Sequence, residues 1–297
     1  MKGILNILKP PNMTSHDVVS VVRKKLNFKK VGHTGTLDPM AVGVLPVCIG
    51  KATKVIEYMQ NDTKVYRAEL TLGTAMDTQD RWGNIISTSD KVVSEKAIID
   101  AINSFKGEVL QTPPMYSALK YKGKKLYELA REGKEIEREA RKIYIYYINI
   151  LKVVENKVLF DVKCSKGTYI RTLCHDIGES LGTGGHMSFL ARLKSGAFKL
   201  EDTITIEEFK ESDIEAIKNN YFYSVDYPLK NIPRVDVVPS AAKSTLNGVS
   251  IKVGSFRSDT KLADKDLVKI FIEEKFVGLG IYNKRTDNSY IKIKKMF

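Results

Sequence analysis

Apolar residues at Val18, Val19, Val22 and Leu26 recur at helical spacing, which predicts a helix with Ser15 as its N-cap and Asp17 in its positive first turn. An unbroken apolar run marks a buried strand around 43–49, and a helix near 51–60 carries Ala52, Val55, Ile56 and Met59 on one side. From Lys64 to Leu72 the period changes to two, so Tyr66, Ala68, Leu70 and Leu72 share one strand face. A helix is expected from about Ser94 to Phe105, presenting Ile98, Ala101, Ile102 and Phe105 and stopped by Gly107. Strands follow at 142–151 and 157–164, then a helix with Ile170, Leu173, Cys174, Ile177 and Leu181 on one face and a glycine-rich loop at 182–185. Past Tyr227-Pro228 and Ile232-Pro233, short strands at 249–253, 267–272, 276–281 and 290–294 are separated by Gly, Asp and Asn turns. The chain therefore reads as an α+β domain at 1–230 and a small all-β domain at 231–297, with no internal repeat.

Two segments escape these periods. Residues 31–40, Val-Gly-His-Thr-Gly-Thr-Leu-Asp-Pro-Met, are punctuated by Gly32, Gly35 and Pro39, and Pro39 pushes Asp38 toward an extended backbone. Residues 116–142 hold nine basic and five acidic side chains with Tyr116, Tyr121 and Tyr127 among them, and only a short helix near 124–132. That composition reads as an excursion from the core.

Charge sharpens the picture. Forty-eight Lys and Arg against 35 Asp and Glu leave a net charge of +13, the balance expected of a protein with a polyanionic partner. The excess is uneven: residues 1–40 hold seven basic against two acidic side chains and 231–297 thirteen against seven, whereas 201–222 hold two against seven. With 43% hydrophobic and 28% charged residues, wholesale disorder and a membrane-embedded body are excluded. The longest nearly uncharged apolar stretch, 41–50, falls far short of the ~20 residues that span a bilayer. The N-terminal apolar stretch is too short for a secretory signal, so a cytoplasmic location is expected. Cys48, Cys164 and Cys174 fit neither a disulfide framework nor a zinc site and are expected as buried free thiols.

Asp38 is the acidic residue with the most unusual setting, in a Gly- and Pro-fixed loop beside His33, Thr34 and Thr36. Such a carboxylate serves as a nucleophile or general base, or else forms an ordinary Asp-Pro turn. No lysine follows the glycines as a phosphate-cradling loop requires. Asp77-Thr-Gln-Asp80 offers hard oxygen ligands for Mg²⁺ or, equally, turn chemistry. Tyr66 lies on an apolar strand face where tyrosines are usually core, and Tyr169 and Arg171 fall at a strand-to-helix junction.

Taken in order, these motifs resemble the TruB family of tRNA pseudouridine synthases. The likeness runs through 3–15 with Lys9-Pro10 and Thr14-Ser15, Val31 to Pro39, Gly43-Val-Leu-Pro46, Gly50-Lys-Ala-Thr-Lys54, and Tyr66 within Lys64-Val-Tyr-Arg67. It continues through Asp77 to Asp80, Pro113 to Lys120, Tyr127 to Arg131, Lys166 to Thr172 and Leu190 to Gly196. It is dense over 1–200 and looser beyond.

The resemblance implies a pseudouridine synthase fold, with a mixed, mostly antiparallel sheet, followed by a PUA-type RNA-binding β-domain. It also implies isomerisation of uridine at position 55 in the tRNA T-loop, with no cofactor or metal, no membrane and no obligate protein partner. By the same resemblance Asp38 is the nucleophile, Arg171 pairs with it, Tyr66 stacks on the target base and assists proton removal at C5, and Tyr169 packs beneath the aspartate. His33 takes part in flipping the base. A thumb-like insertion at about 114–142 closes on RNA, with Lys120 in it, and Lys9 and Lys64 are further expected RNA contacts. Leu8, Asn12 and Ala191 depart from common family residues, although Asn tolerates the left-handed turn that Gly usually makes there. Two other classes fit the basic surface: a catalytically idle RNA-binding module, and a metal-dependent phosphotransferase using Asp77 and Asp80.

Overall fold

The computed structural model describes residues 1–60, 62–286 and 288–297. Among them, ten strands form one sheet. Its order is Phe222–Tyr223, Gly3–Lys9, Val42–Ile49, Gly185–Ser195, Lys64–Leu72, Lys157–Cys164, Arg141–Val154 and Gly107–Gln111. Val31–His33 adds onto Val42–Ile49, and Phe198–Lys199 onto Gly185–Ser195. Its pairings are antiparallel except one: Gly185–Ser195 runs parallel to Val42–Ile49 where Ala191 meets Val42 and Arg192 meets Gly43. Gly43 has φ +116°, and a Cβ there would strike the Arg192 backbone, so glycine is what lets the two strands meet.

Strand faces explain the layers. The strand Val42–Ile49 reads as an unbroken apolar run because both its faces are covered. Leu45, Val47 and Ile49 join Leu5 and Ile7 under the helix Ser15–Leu26, while Val44 and Cys48 join Ile4 against Phe198, Leu229, Leu279 and Phe297. Farther along the sheet, Tyr66, Ala68, Leu70, Phe160 and Val162 pack beneath the helices Glu95–Ser104 and Ile170–Leu181. The alternation expected for Lys64–Leu72 is therefore the burial pattern found.

Four readings need correction. The first helix is capped by Thr14, whose side chain forms a reciprocal capping box with Asp17; Ser15 is buried one position inside. The eleven-residue strand Gly185–Ser195, which joins the two halves of the sheet, has no counterpart in the sequence reading, because bulges at Met187/Phe189 and Arg192/Lys194 break its alternation. The 116–142 segment holds a β-hairpin, Lys120–Tyr121 with Lys124–Lys125, as well as the helix Leu126–Arg131. Its two-residue turn, Lys122 and Gly123, has positive φ at both positions, the geometry whose twist suits tight hairpins. Finally, the C-terminal part is not all-β. Its six-stranded sheet, from Arg234–Val237 to Tyr290–Met296, is accompanied by the helix Pro239–Leu246, started by a proline whose missing N–H costs nothing there.

The helix Ile170–Leu181 also carries Asp176, whose carboxyl burial pushes up to about 6. A carboxyl raised in the folded state weakens folding once ionised, fully above about pH 6, and less as pH falls toward the usual 3.8. Asp176→Asn should therefore melt about 2–4 °C above the wild type near pH 7.5. That gap should close on acidification to about pH 4, as followed by thermal melts across pH.

Candidate active site

The 34–41 loop is held along its length. Thr34 N–H donates to Pro46 O at 3.2 Å, and the buried Ser15 hydroxyl both accepts from Leu37 N–H at 2.9 Å and donates to Leu37 O at 3.2 Å. Asn12, in the left-handed region at φ 63°, turns its N–H onto Pro39 O at 2.9 Å. Leu37, Met40 and Ala41 are buried beneath. A loop tied this way presents Asp38 at one depth.

Arg171, in the first turn of the helix Ile170–Leu181, meets that carboxylate with two nitrogens. Nε lies 2.9 Å from Oδ2, and Nη2 lies 3.3 Å from Oδ1. The other N–H groups reach Tyr116 O at 2.8 Å, Thr78 O at 3.1 Å and the Asp80 carboxylate at 3.8 Å. Four short contacts thus hold the guanidinium, and Asp80 adds a longer ion pair. The arginine side chain is 6% exposed and the aspartate 33%, so the cation is interior and the anion faces outward.

Tyr66 is buried on the neighbouring strand, and burial pushes its phenol up. Tyr169 is the extended N-cap residue of the arginine's helix. The buried side chain of Gln111 clamps its backbone twice, accepting from Tyr169 N–H at 2.8 Å and donating to Tyr169 O at 3.0 Å. Burial, with Arg192 nearby, holds the half-buried His33 imidazole below its usual pKa. Asp38, Arg171, Tyr66, Tyr169 and His33 are therefore brought to one region.

The expected RNA lysines divide. Lys120 is exposed on the hairpin, next to Tyr121. Lys64 is half-buried, with its ammonium donating to the carbonyls of Gln60 and Asp62 at 3.2 and 2.7 Å. Lys9 as a surface contact is wrong. It is fully buried and donates to the carbonyls of Pro10, Met13 and Pro39 at 2.8, 2.6 and 3.1 Å, because the turn at Asn12 folds those oxygens over it. Burial brings its pKa down to about 8.

The sequence reading missed two residues that shape this region, Gln111 and Arg192, and gave two others, Ser15 and Asp80, different roles. Arg192 is 1% exposed and donates to Val44 O at 2.7 Å, Gly35 O at 3.1 Å and Thr36 O at 3.5 Å. No pattern in the sequence marked it, because the bulged strand that carries it breaks the alternation by which a face is read. Asp77 and Asp80 are engaged in their own turn, Asp77 accepting from Asn84, and Asp80 from Thr78 Oγ1 and Trp82 N–H. Among the described residues no group of three His, Cys, Asp or Glu is placed to hold a metal ion. The three cysteines are buried free thiols.

Comparison with known proteins defines the class. Over 99% of this chain and 84% of the other, the structure matches that of an H/ACA RNP bound to a substrate RNA containing 2'-deoxyuridine, with TM-score 0.77 and 29% identity. A Cbf5-Nop10-Gar1 complex gives TM-score 0.76 and 32% identity over the same shares. Residues 23–170 match the TruB family pseudouridylate synthase (N terminal domain), and 171–224 the tRNA pseudouridylate synthase B C-terminal domain. The tRNA pseudouridine synthase B of Alkaliphilus oremlandii is 52% identical over 100% of this chain and 98% of its own length, and that of Clostridioides difficile 48% identical over all of both. The chain belongs to the TruB family of pseudouridine synthases.

Ser15→Ala removes both polar ties to Leu37 without changing the helix face. It should cost about 1–3 kcal/mol in denaturant unfolding, and it should lower kcat more than it raises KM, because the Asp38 loop is slackened.

Proposed function

We propose that this protein isomerises uridine to pseudouridine at position 55 in the T-loop of tRNA. The observation that carries the reading is the two-nitrogen pairing of a buried Arg171 with an outward-facing Asp38. Asp38 is the nucleophile, attacking the ribose or the base as the N1 glycosidic bond breaks. The freed uracil turns and rejoins the ribose through C5. Because the reaction gains and loses no atom overall, its balance calls for no cofactor. Tyr66 stacks on the base and takes up the C5 proton, and Tyr169 supports the aspartate from below.

A uridine within a folded T-loop reaches Asp38 only after leaving its stack, at a cost of a few kcal/mol. His33, neutral because it is buried, takes part in that extrusion. The 114–142 segment closes over the RNA, with exposed Lys120 and Tyr121 offering a phosphate partner and a stacking face. Residues 1–230 act as the catalytic domain and 231–297 as a PUA-type RNA-binding domain. The enzyme works in the cytoplasm, without an obligate protein partner.

T-arm RNA tritiated at uracil C5 tests the reading, since isomerisation releases that label. The wild type should release it. Asp38→Asn should release none while its RNA affinity stays within about threefold, because backbone contacts set binding. Bound RNA that keeps its label with the wild type overturns the proposal. Lys120→Ala should weaken binding across T-arm sequences alike and reduce the slope of log affinity against log salt by about one.

A further inference from the structure

Two arginines are enclosed in this region, and their surroundings differ. Arg171 spends its charge on carboxylates, Asp38 and Asp80. Arg192 is the bulkier case of burial, at 1% exposure, and its described hydrogen bonds run to backbone carbonyls rather than to a carboxylate. A guanidinium stays protonated in any protein setting, so a full positive charge sits there, held by peptide carbonyls. Three of its five donors are taken by Val44, Gly35 and Thr36.

The register places Tyr66 beside this charge. Arg192 is paired directly opposite Tyr66 across the antiparallel strands Gly185–Ser195 and Lys64–Leu72, and a bulge follows between Arg192 and Lys194. Residues opposite each other in such a pair share a face and touch. The bulge re-aims the side chain locally, as bulges beside active sites do. We infer that Arg192 is a positioning residue for the isomerisation: it acts through Tyr66 by stabilising the phenolate that accepts the C5 proton, while its other nitrogens fix the loop carrying Asp38. The inference rests on Tyr66 being that proton acceptor.

The chemistry calls for such a cation. Once the base has rejoined through C5, that carbon carries both a hydrogen and the new glycosidic bond. The phenolate takes the hydrogen as a proton; the C–H pair becomes the C5=C6 bond, and the former C6=N1 pair moves to N1, which is protonated from solvent. Tyr66 then returns its proton to solvent. A neutral phenol cannot perform the first transfer, and burial alone disfavours its anion. Arg192 is foremost among the groups that oppose this effect at Tyr66.

Arg192→Met, Arg192→Lys and Tyr66→Phe, compared at saturating T-arm RNA with hydrogen or deuterium at uracil C5, test the inference. Arg192→Met should lower kcat about 100-fold and leave KM within about threefold. It should also turn over the deuterated RNA more slowly than the protiated one by a larger ratio than the wild type. Arg192→Lys should recover part of kcat, since charge returns without the fork, and should keep an enlarged isotope effect; it carries the test if the methionine variant does not fold. Wild-type kcat in Arg192→Met, or a loss of kcat without a larger isotope effect while Tyr66→Phe shows one, would overturn the role of Arg192 alone. Tyr66→Phe with unchanged kcat and isotope effect would overturn the assignment of Tyr66 and the inference with it.

Discussion

A carboxylate that must meet a nucleoside has to stand at a surface, and a guanidinium can hold it there only when its own remaining donors are satisfied from behind. Arg171 meets that condition. Two nitrogens grip Asp38, Tyr116 O and Thr78 O accept further N–H groups, and the Asp80 carboxylate adds charge from behind. Removing Asp38 would leave the interior Arg171 cation without its closest carboxylate, the costlier side of the pair to strand. Everything nearby is arranged to keep both ends of that pair in place: Ser15 and Asn12 on the side of the loop, Gln111 and Gln79 on the side of the helix.

The 114–142 segment is rooted on the same helix start. Immediately before it, Gln111 clamps the backbone of Tyr169, and within its first turn Tyr116 supplies a carbonyl to Arg171. Farther along, Arg138 returns to Pro113 O at 3.0 Å and closes the base of the excursion. The basic hairpin therefore projects from a foot that is bonded to the residues beside Asp38. A surface that gathers polyanion and a cleft that orients one carboxylate share their anchorage.

Much of this was legible in the chain. Gly32, Gly35 and Pro39 marked one of the two segments that escape both periods, and the alternation from Lys64 to Leu72 placed Tyr66 on the inward face. The failures share a cause. A lysine is assigned outward because its charge favours water, and Lys9 turns inward because the left-handed turn at Asn12 brings the Pro10 and Met13 carbonyls over it and ties in Pro39 O from the Asp38 loop. The strand Gly185–Ser195 hides behind two bulges and two opening glycines, so Arg192 could not be placed on a face before that strand was known. Thr14 and Ser15 both suit an N-cap, and what separates them is tertiary: the second hydroxyl is needed at Leu37. Local pattern finds elements, whereas contacts between loops distant in sequence decide which polar groups turn inward.

The position of the single parallel pairing in the main sheet follows from the same need. Asp38 comes from the loop before Val42–Ile49, Arg171 from the helix before Gly185–Ser195, and Tyr66 from the strand on the other side of Gly185–Ser195. Three groups from separate stretches converge only if those strands are adjacent. The strand Gly185–Ser195 does this by pairing antiparallel with Lys64–Leu72 along most of its length and parallel with Val42–Ile49 at Ala191 and Arg192. Arg192 stands at that crossing, opposite Tyr66 on one side and Gly43 on the other, and reaches the loop carbonyls that lead to Asp38. A side chain without a long fork of donors would leave those carbonyls buried and unpaired at the crossing. The seam of the sheet and the centre of the site are therefore the same place.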